Sequence, residues 1–306
     1  MKLAPIVIFS YNRANHLKKT LISLKKNKLS KKSNIIFFSD GIKIENKADL
    51  KRVRSVKKII KNLKGFKNKK IYFHNKNIGL KKNILDGVTK IVKKYKKIIV
   101  LEDDIIVSEY FLNYMNQALD YYKNKKKVWH ISGWNYELKF DDIEKKDGKT
   151  FFIKNMNCWG WGTWHDRWKK IIVNPDFFIK KMNKKKIYDF NLSNSANNWS
   201  QLIRNKKKIL NTWAIFWNAT IFYHKGLCLN PVVSMTKNIG LDGSGSNSSF
   251  EPLKKTKISK EKFFIFSKKI KENFFLRNKI IFSLKRKKNN WKYFIKKILS
   301  IFFLSK

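Results

Sequence analysis

A regular alternation of short apolar runs with helix-period segments fills roughly the first 130 residues, and it leaves few folds open. Ala4–Phe9, Asn34–Phe38, Ile71–Phe73, Ile98–Leu101 and Val128–Ile131 are apolar runs of buried-strand type. Between them apolar residues recur at helical spacing: Leu17, Leu21 and Leu24; then Leu50, Val53, Val56, Ile59, Ile60 and Leu63; then Ile84, Val88, Ile91 and Val92; then Phe111, Leu112, Met115 and Leu119. Parallel strands need a crossover, usually a helix, to bring the chain back to the same edge. The pattern therefore predicts an α/β domain, a parallel sheet with helices on both faces.

The chain has the material for such a core. Of its 306 residues 43% are hydrophobic, including 24 Phe, 11 Tyr and 10 Trp, which excludes disorder for the bulk of it despite a net charge of +49. That charge comes from lysines spread over nearly every segment. The only arginines are Arg13, Arg52, Arg54, Arg167, Arg204, Arg277 and Arg286. Base readout favours the planar arginine fork, so the balance argues against sequence-specific nucleic-acid binding. No apolar run reaches the ~18–20 residues of a membrane span, and Met1–Ile6 lacks a signal peptide's apolar stretch. Two cysteines, Cys158 and Cys228, are too few for a disulfide framework or a Cys-based zinc site. The expectation is a soluble, cytoplasmic protein.

Beyond the alternating region the signals change. Asp141–Thr150 reads as a charged loop, Phe151–Trp168 as irregular and aromatic-rich, and Lys180–Asn198 as a mobile stretch with few core residues. Thr212–Phe222 reads as an apolar helix and Asn238–Ser249 as a Gly/Ser-rich loop. Past Pro252 lysine dominates. The expected organisation is a catalytic domain over 1–250 and a basic, aromatic-rich helical extension over 251–306. The tail Trp291–Leu304 interleaves aromatics with lysines: it either packs on the domain or lies on an anionic membrane surface.

Three strand ends carry polar groups. Glu102, Asp103 and Asp104 follow four apolar residues, in a chain with only 21 acids. Three carboxylates there need a cation or donors. Mn²⁺ or Mg²⁺, held by one or two of them with diphosphate oxygens completing the shell, would satisfy them; a solvated strand end is the alternative. Asp40 precedes Gly41 after the second strand and is either a turn residue or a ligand contact. Ser10, Tyr11, Asn12 and Arg13 follow the first, where Asn12 either caps the next helix or joins a site that Arg13 supplies with charge. Ligands bind outside the carboxyl ends of strands in open α/β sheets. The run Trp159, Gly160, Trp161, Gly162, Thr163, Trp164 offers aromatic faces for sugar rings or an aromatic core plug.

These pieces resemble a family of bacterial glycosyltransferases with the GT-A fold. The resemblance rests on Phe9–Arg13, His16–Leu17, Ser39–Gly41, Asn77–Leu80, Leu101–Asp104, Ile131–Trp134, Trp159–Trp164, Thr212–Ala214 and Asn238–Gly245. It is similar in layout to the N-acetylglucosaminyltransferase I family, which uses UDP donors with inversion. It implies a Rossmann-like mixed sheet flanked by helices, a nucleotide-sugar donor (UDP-sugar favoured), a saccharide or lipid-linked saccharide acceptor, and a place in bacterial surface polysaccharide synthesis. By the same resemblance Arg13 and Asp40 meet base and ribose, with Ser10 and Asn12 beside them, and Asn77, Gly79 and Asn83 shape the nucleotide pocket. Glu102 and Asp103 lie near the donor and Asp104 ligates the metal; from the chemistry of the tryptophan run itself, Gly160 and Trp161 are expected to face the donor or acceptor sugar. A glycine-rich lid, Gly240–Ser246 with Gly243 and Ser244 at its centre, closes over the diphosphate.

Asn211 and Thr212 stand before Trp213, where the eukaryotic family carries an acid, and neither can act as a base. Asp242 is then the nearest replacement base, unless it binds phosphate or serves the hinge; Glu102 is the other catalytic candidate, and Asp166, Asp189 and His165 are weaker ones. A nucleotidyltransferase would open on a Gly-rich phosphate loop, which Phe9–Asn12 is not. A non-catalytic nucleotide-sugar or polyanion binder is the remaining alternative.

Overall fold

The computed structural model describes residues 2–43, 47–136, 138, 149–244 and 257–286. Its centre is an eight-stranded sheet in the order β3-β2-β1-β4-β8-β6-β9-β7. The strands are β1 (Ile6–Ser10), β2 (Asn34–Ser39), β3 (Asn68–Phe73), β4 (Lys97–Glu102), β6 (Val128–Ser132), β7 (Thr150–Ile153), β8 (Trp161–Trp164) and β9 (Leu227–Pro231). The first four are parallel, as the alternation predicts. The sheet becomes mixed because β8 inserts antiparallel between β4 and β6, and β7 runs antiparallel to β9. A two-stranded ribbon pairs β5 (Ile105–Val107) with β10 (Thr236–Asn238).

The central strands are buried on both sides, which is why they read as near-continuous apolar runs. Ile6, Ile8, Ile35, Phe37 and Leu101 face helices α1 (Ala14–Lys25), α2 (Lys47–Asn62) and α4 (Phe111–Tyr121). Val7, Phe9, Ile36, Phe38, Ile98 and Val100 face α3 (Leu80–Tyr95) and α9 (Ala214–Tyr223). Each fully buried large side chain contributes roughly 1.5–3 kcal/mol.

Trp161, expected at a sugar, lies fully buried inside the second of these faces. Its ring stacks between His130 and Trp213, with centroids 5.4 and 5.3 Å away, and Trp168 and Trp217 continue the cluster. As an inward-pointing residue of a central strand it serves the core, the plug that composition alone left open. Gly162 makes the strand crossing possible, since a Cβ there would fall 2.8 Å from the Ile98 carbonyl oxygen.

Lys180–Asn198, expected to be mobile, is structured. Asn174 caps α6 (Pro175–Lys181) with proline at the first turn, and Asn183 caps α7 (Lys184–Phe190). With α8 (Asn198–Lys206) they bury Phe178, Met182, Phe190 and Leu202 against α9. Few apolar residues suffice because each is large. The short α5 (His165–Trp168) follows β8 directly.

Residues 257–273 run without regular structure and 274–286 are helical. Phe264 and Phe266 pack on Tyr114 and Tyr122 of the main core, and Leu276, Ile280 and Ile281 pack on Phe151 and Ile153 of β7. Arg277 reaches Asp189 and the buried Glu272. Residues 257–286 are thus strapped to the sheet and its helices along this length. The boundary expected near residue 250 and the tail Trp291–Leu304 lie outside the described residues. No helix among the described residues is long and apolar enough to cross a membrane.

Candidate active site

At the carboxyl edge of β1 and β4, Arg13 Nη2 donates to Asp103 Oδ1 at 2.6 Å and to Asp104 Oδ2 at 2.7 Å. Arg13 is the N-cap residue of α1 and makes no side-chain cap bond, so its guanidinium extends across the strand ends. The Tyr11 amide donates to Asp103 Oδ2 at 3.2 Å, and Thr20 of α1 bonds the Asp103 carbonyl. Arg13 Nη1 is buried without a hydrogen-bond partner among the described residues. An unused cationic donor at a cleft edge suits an anionic oxygen.

The glycine-rich segment reaches the acids through the ribbon. Pairing of Asn238 with Ile105 brings the Ile239 amide to the Asp104 carbonyl at 2.9 Å. Gly240 then covers the aspartate: a Cβ there would lie 2.1 Å from Asp104 Oδ2 and 2.6 Å from Arg13 Nη1. Asp242 Oδ2 meets His16 Nε2 of α1 at 3.0 Å, while its Oδ1 accepts from the Ser244 amide and hydroxyl. Those Ser244 bonds, with His16 beside them, hold the Asp242 carboxyl down to about 2. Gly243 takes a positive φ of 82°, which a side chain would strain. Gly245 and Ser246 lie outside the described residues.

Glu102 behaves oppositely. Burial, then the neighbouring Asp104 and Asp103, push its carboxyl up to about 8, and burial raises Asp103 to about 6 against the pull of Arg13. Glu102 nonetheless keeps partial solvent access. Near it Gly160 immediately precedes β8; its carbonyl accepts from the Gly133 amide at 2.6 Å and its φ is 78°. Gly160 itself is buried beneath Thr236 and Leu101. The half-exposed aromatics at this edge are Trp134, Tyr136 and Trp159, with Trp134 edge-on to both others at 4.9 and 4.7 Å.

The other expected residues form a second group. Asp40 spends its carboxylate on backbone: Oδ1 accepts from Gly41 and Ile78 and Oδ2 from Gly79, at 2.9, 2.9 and 3.0 Å. It is buried and moors the loop entering α3, where a carboxylate also complements the helix dipole. Gly41 is required there because a Cβ would come 2.5 Å from the Lys76 carbonyl carbon. The Asn77 amide donates to the Gly41 carbonyl, and Asn83 Oδ1 lies 3.1 Å from His74 Nε2. Asn12 does not cap α1: its amide donates to Asp49 Oδ1 at 2.8 Å, and the Tyr11 hydroxyl bonds the same carboxylate. Ser10 and Ser39, register partners at the ends of β1 and β2, have buried hydroxyls without partners among the described residues.

Sequence reasoning missed Asp49 and the contact of His16 with Asp242. Asp49 sits in the first turn of α2 with no motif to mark it. Asp166 and Asp189 are occupied elsewhere, by Lys126 and Arg167 and by Lys154 and Arg277. His165 lies beyond the far end of β8, beside Lys96.

A 3-2-1-4 parallel core joined to a mixed half, with an acid triplet ending the fourth strand and a glycine-rich segment over it, is a GT-A-like arrangement, and the family match makes the chain a glycosyltransferase. The GNT-I family profile matches residues 1–177, and the chain belongs to that family. No curated protein matches it in sequence. Among solved structures it is similar to the galactosyltransferase LgtC with donor and acceptor sugar analogues, at 13% identity over 71% of this chain and 70% of that one, with a TM-score of 0.34. It is likewise similar to the mannosyltransferase PcManGT from Pyrobaculum calidifontis with GDP-Man and Mn²⁺, at 9% identity, 72% and 70% coverage and a TM-score of 0.37. Mouse xyloside xylosyltransferase 1 shows 11% identity, 72% and 82% coverage and a TM-score of 0.36. Likenesses this distant assign no chemistry.

Proposed function

We propose that this glycosyltransferase moves a sugar from a nucleoside-diphosphate donor, with a UDP-sugar favoured, onto a saccharide or lipid-linked saccharide acceptor with inversion, in bacterial surface polysaccharide synthesis. The reading rests on one observation: Arg13, Asp104 and the Gly240 backbone meet at the edge of β4, with Arg13 Nη1 unsatisfied among the described residues. The unused Arg13 donor suits a diphosphate oxygen better than a neutral ligand, and the missing side chain at Gly240, whose amide already donates to Asn238, lets the segment lie against it.

A divalent ion, Mn²⁺ or Mg²⁺, fits the donor set on its chemistry. Asp104 offers hard carboxylate oxygen, and among the described residues no three His, Cys, Asp or Glu side chains converge into a cage. Such an ion is commonly held by one or two carboxylates with substrate phosphates, so Asp104 would hold it, with Asp103 beside it. When bound it would offset charge growing on the leaving diphosphate.

The chain's own residues do the rest. Arg13 binds the diphosphate as its contacts to the aspartates loosen. Ser10, Asn12, Asp40, Asn77, Gly79 and Asn83 shape the nucleotide pocket, Asp40 through the loop it moors. Glu102 takes the acceptor hydroxyl's proton as the hydroxyl oxygen attacks the anomeric carbon and the bond to diphosphate breaks. Asp242 is already committed to His16 and Ser244, whereas Glu102 ends β4 beside Asp103 and Asp104. Asp242, with Gly243 and Ser244, serves as the lid's latch on His16. Trp134, Tyr136 and Trp159, with Gly160 behind them, present a platform for a sugar ring. Peripheral contact with an anionic membrane through the basic extension would bring the enzyme to lipid-linked acceptors from the cytoplasmic side.

A thermal-shift panel of UDP-, GDP- and CDP-sugars with Mn²⁺ tests the donor assignment, because a ligand of the folded state raises apparent stability by mass action. A UDP-sugar should give the largest rise. No rise with any nucleotide sugar would refute the site.

A further inference from the structure

Residues 257–286 carry a surface that the glycosyl-transfer chemistry does not use. In the helical segment 274–286, Leu276, Arg277, Ile280 and Ile281 are buried against the domain. At 100° per residue the opposite side holds Phe274, Phe275, Asn278, Phe282, Lys285 and Arg286 within one sector about 120° wide. Its three phenylalanines are 63%, 52% and 67% exposed. The preceding strap also alternates: Phe264 and Phe266 pack on the core, while Phe263 and Ile265 are 78% and 66% exposed. Five large apolar side chains kept in water along thirty residues are an unusual concentration, of the kind that marks an interaction surface.

Charge decides what that surface meets. Residues 257–286 contain eight lysines and two arginines against two acids. Both acids are already bound within the molecule, Glu261 to Lys149 at 2.7 Å and Glu272 to Lys154 at 3.3 Å. Lys262, Lys268, Lys269, Lys271, Lys285 and Arg286 are exposed around the phenylalanines. A second copy of this chain, with its own large positive charge, would be repelled. Phenylalanine flanked by lysine and arginine suits the interface of an anionic bilayer, where rings enter the headgroup region and cations meet phosphate.

We propose that Phe274, Phe275 and Phe282, with Phe263 and Ile265 of the strap, form a docking surface for an anionic lipid bilayer. The proposal deepens the peripheral-membrane reading above and assigns it to particular side chains. The surface is joined to the active site. Ser259 at the start of the strap bonds Ser234 and Ser108, which flank the ribbon carrying Gly240. Docking there would place the glycine-rich segment on the part of the molecule tied to the bilayer.

The test is vesicle flotation of the full chain with phosphatidylcholine vesicles, with and without phosphatidylglycerol, for the wild type and the triple variant Phe274→Ser, Phe275→Ser, Phe282→Ser. Nucleotide release from the donor serves as the control for folding. The wild type should float with the anionic vesicles only, and less so at high salt. The triple variant should bind about tenfold more weakly or not at all, with nucleotide release unchanged. Phe263→Ser with Ile265→Ser supplies a second variant, expected to weaken binding the same way. Undiminished flotation of both variants would overturn this surface while leaving membrane contact through another segment standing. No flotation of the wild type would overturn the peripheral reading itself. A wild-type dimer that becomes monomeric in the triple variant would assign the surface to self-association and overturn the proposal.

Discussion

Gly240 lies directly over the carboxylate of Asp104, so close that a Cβ would fall 2.1 Å from Oδ2. The glycine is therefore part of the site's floor plan, placed by the β5–β10 ribbon. Gly240→Ala should displace Asp104 and Arg13 together. Overpacking of this kind costs about 1–3 kcal/mol, so a lowered melting temperature and a larger loss in kcat/KM are expected. Wild-type turnover in this variant would show that the segment does not sit over Asp104 in the working enzyme.

Arg13 neutralises two aspartates at once. Removing one partner of an enclosed ion pair leaves the others uncompensated. Because the Arg13 side chain retains 18% exposure, the expected cost of Arg13→Ala is about 1–3 kcal/mol, below that of a fully buried pair. Mn²⁺ should restore part of that loss, giving the variant a larger metal-dependent rise in melting temperature than the wild type. Equal rises would separate Arg13 from the cation site.

The pH dependence has a definite sign. The Glu102 carboxyl is raised from 4.5 to about 8, so within that window the folded chain holds a proton that the unfolded chain releases. Stability falls as pH rises through the window, and Glu102→Gln should be more stable than the wild type at its upper end and little different below it. As the proposed base Glu102 must be ionised, so wild-type kcat/KM should climb with pH, and Glu102→Gln should lose turnover at every pH. A flat profile would move the base elsewhere.

His130 shows the reverse. It is enclosed, with Nε2 3.0 Å from the Asn157 carbonyl and Nδ1 accepting from Trp217 Nε1, and burial lowers it from 6.5 to about 3. The unfolded chain takes up the proton first, so stability is lost as pH falls between those values. His130→Phe keeps a ring beside Trp161 but orphans two buried partners, at about 1–3 kcal/mol. It should unfold at lower denaturant at neutral pH, with a shallower further loss on acidification.

The parallel half of the fold is legible because each of its strands is a compact apolar run with its own crossover helix. The β8 strand is not, since Trp161–Trp164 alternates tryptophan with small residues and its pairing with β4 spans about sixty positions. Helices α6 to α8 escape notice because their buried residues, Phe178, Phe190 and Leu202, are sparse among lysines. The acid triplet is legible as chemistry, as three carboxylates on an apolar strand demand a partner. That the partner among the side chains is Arg13, ninety residues away, follows only from the β1–β4 pairing. Trp161 illustrates the opposite error: a residue type suited to sugars is used as core because its strand lies mid-sheet.

The central claim is that Asp104 serves departure of a nucleoside diphosphate. Release of UDP from UDP-sugars by the wild type and by Asp104→Asn, each with Mn²⁺ and with chelator, tests it most directly. The account predicts metal-stimulated release by the wild type and a loss of about 10²–10³ in the variant, as expected for removing a transition-state contact, with thermal unfolding still cooperative. Release by Asp104→Asn at the wild-type rate would contradict it.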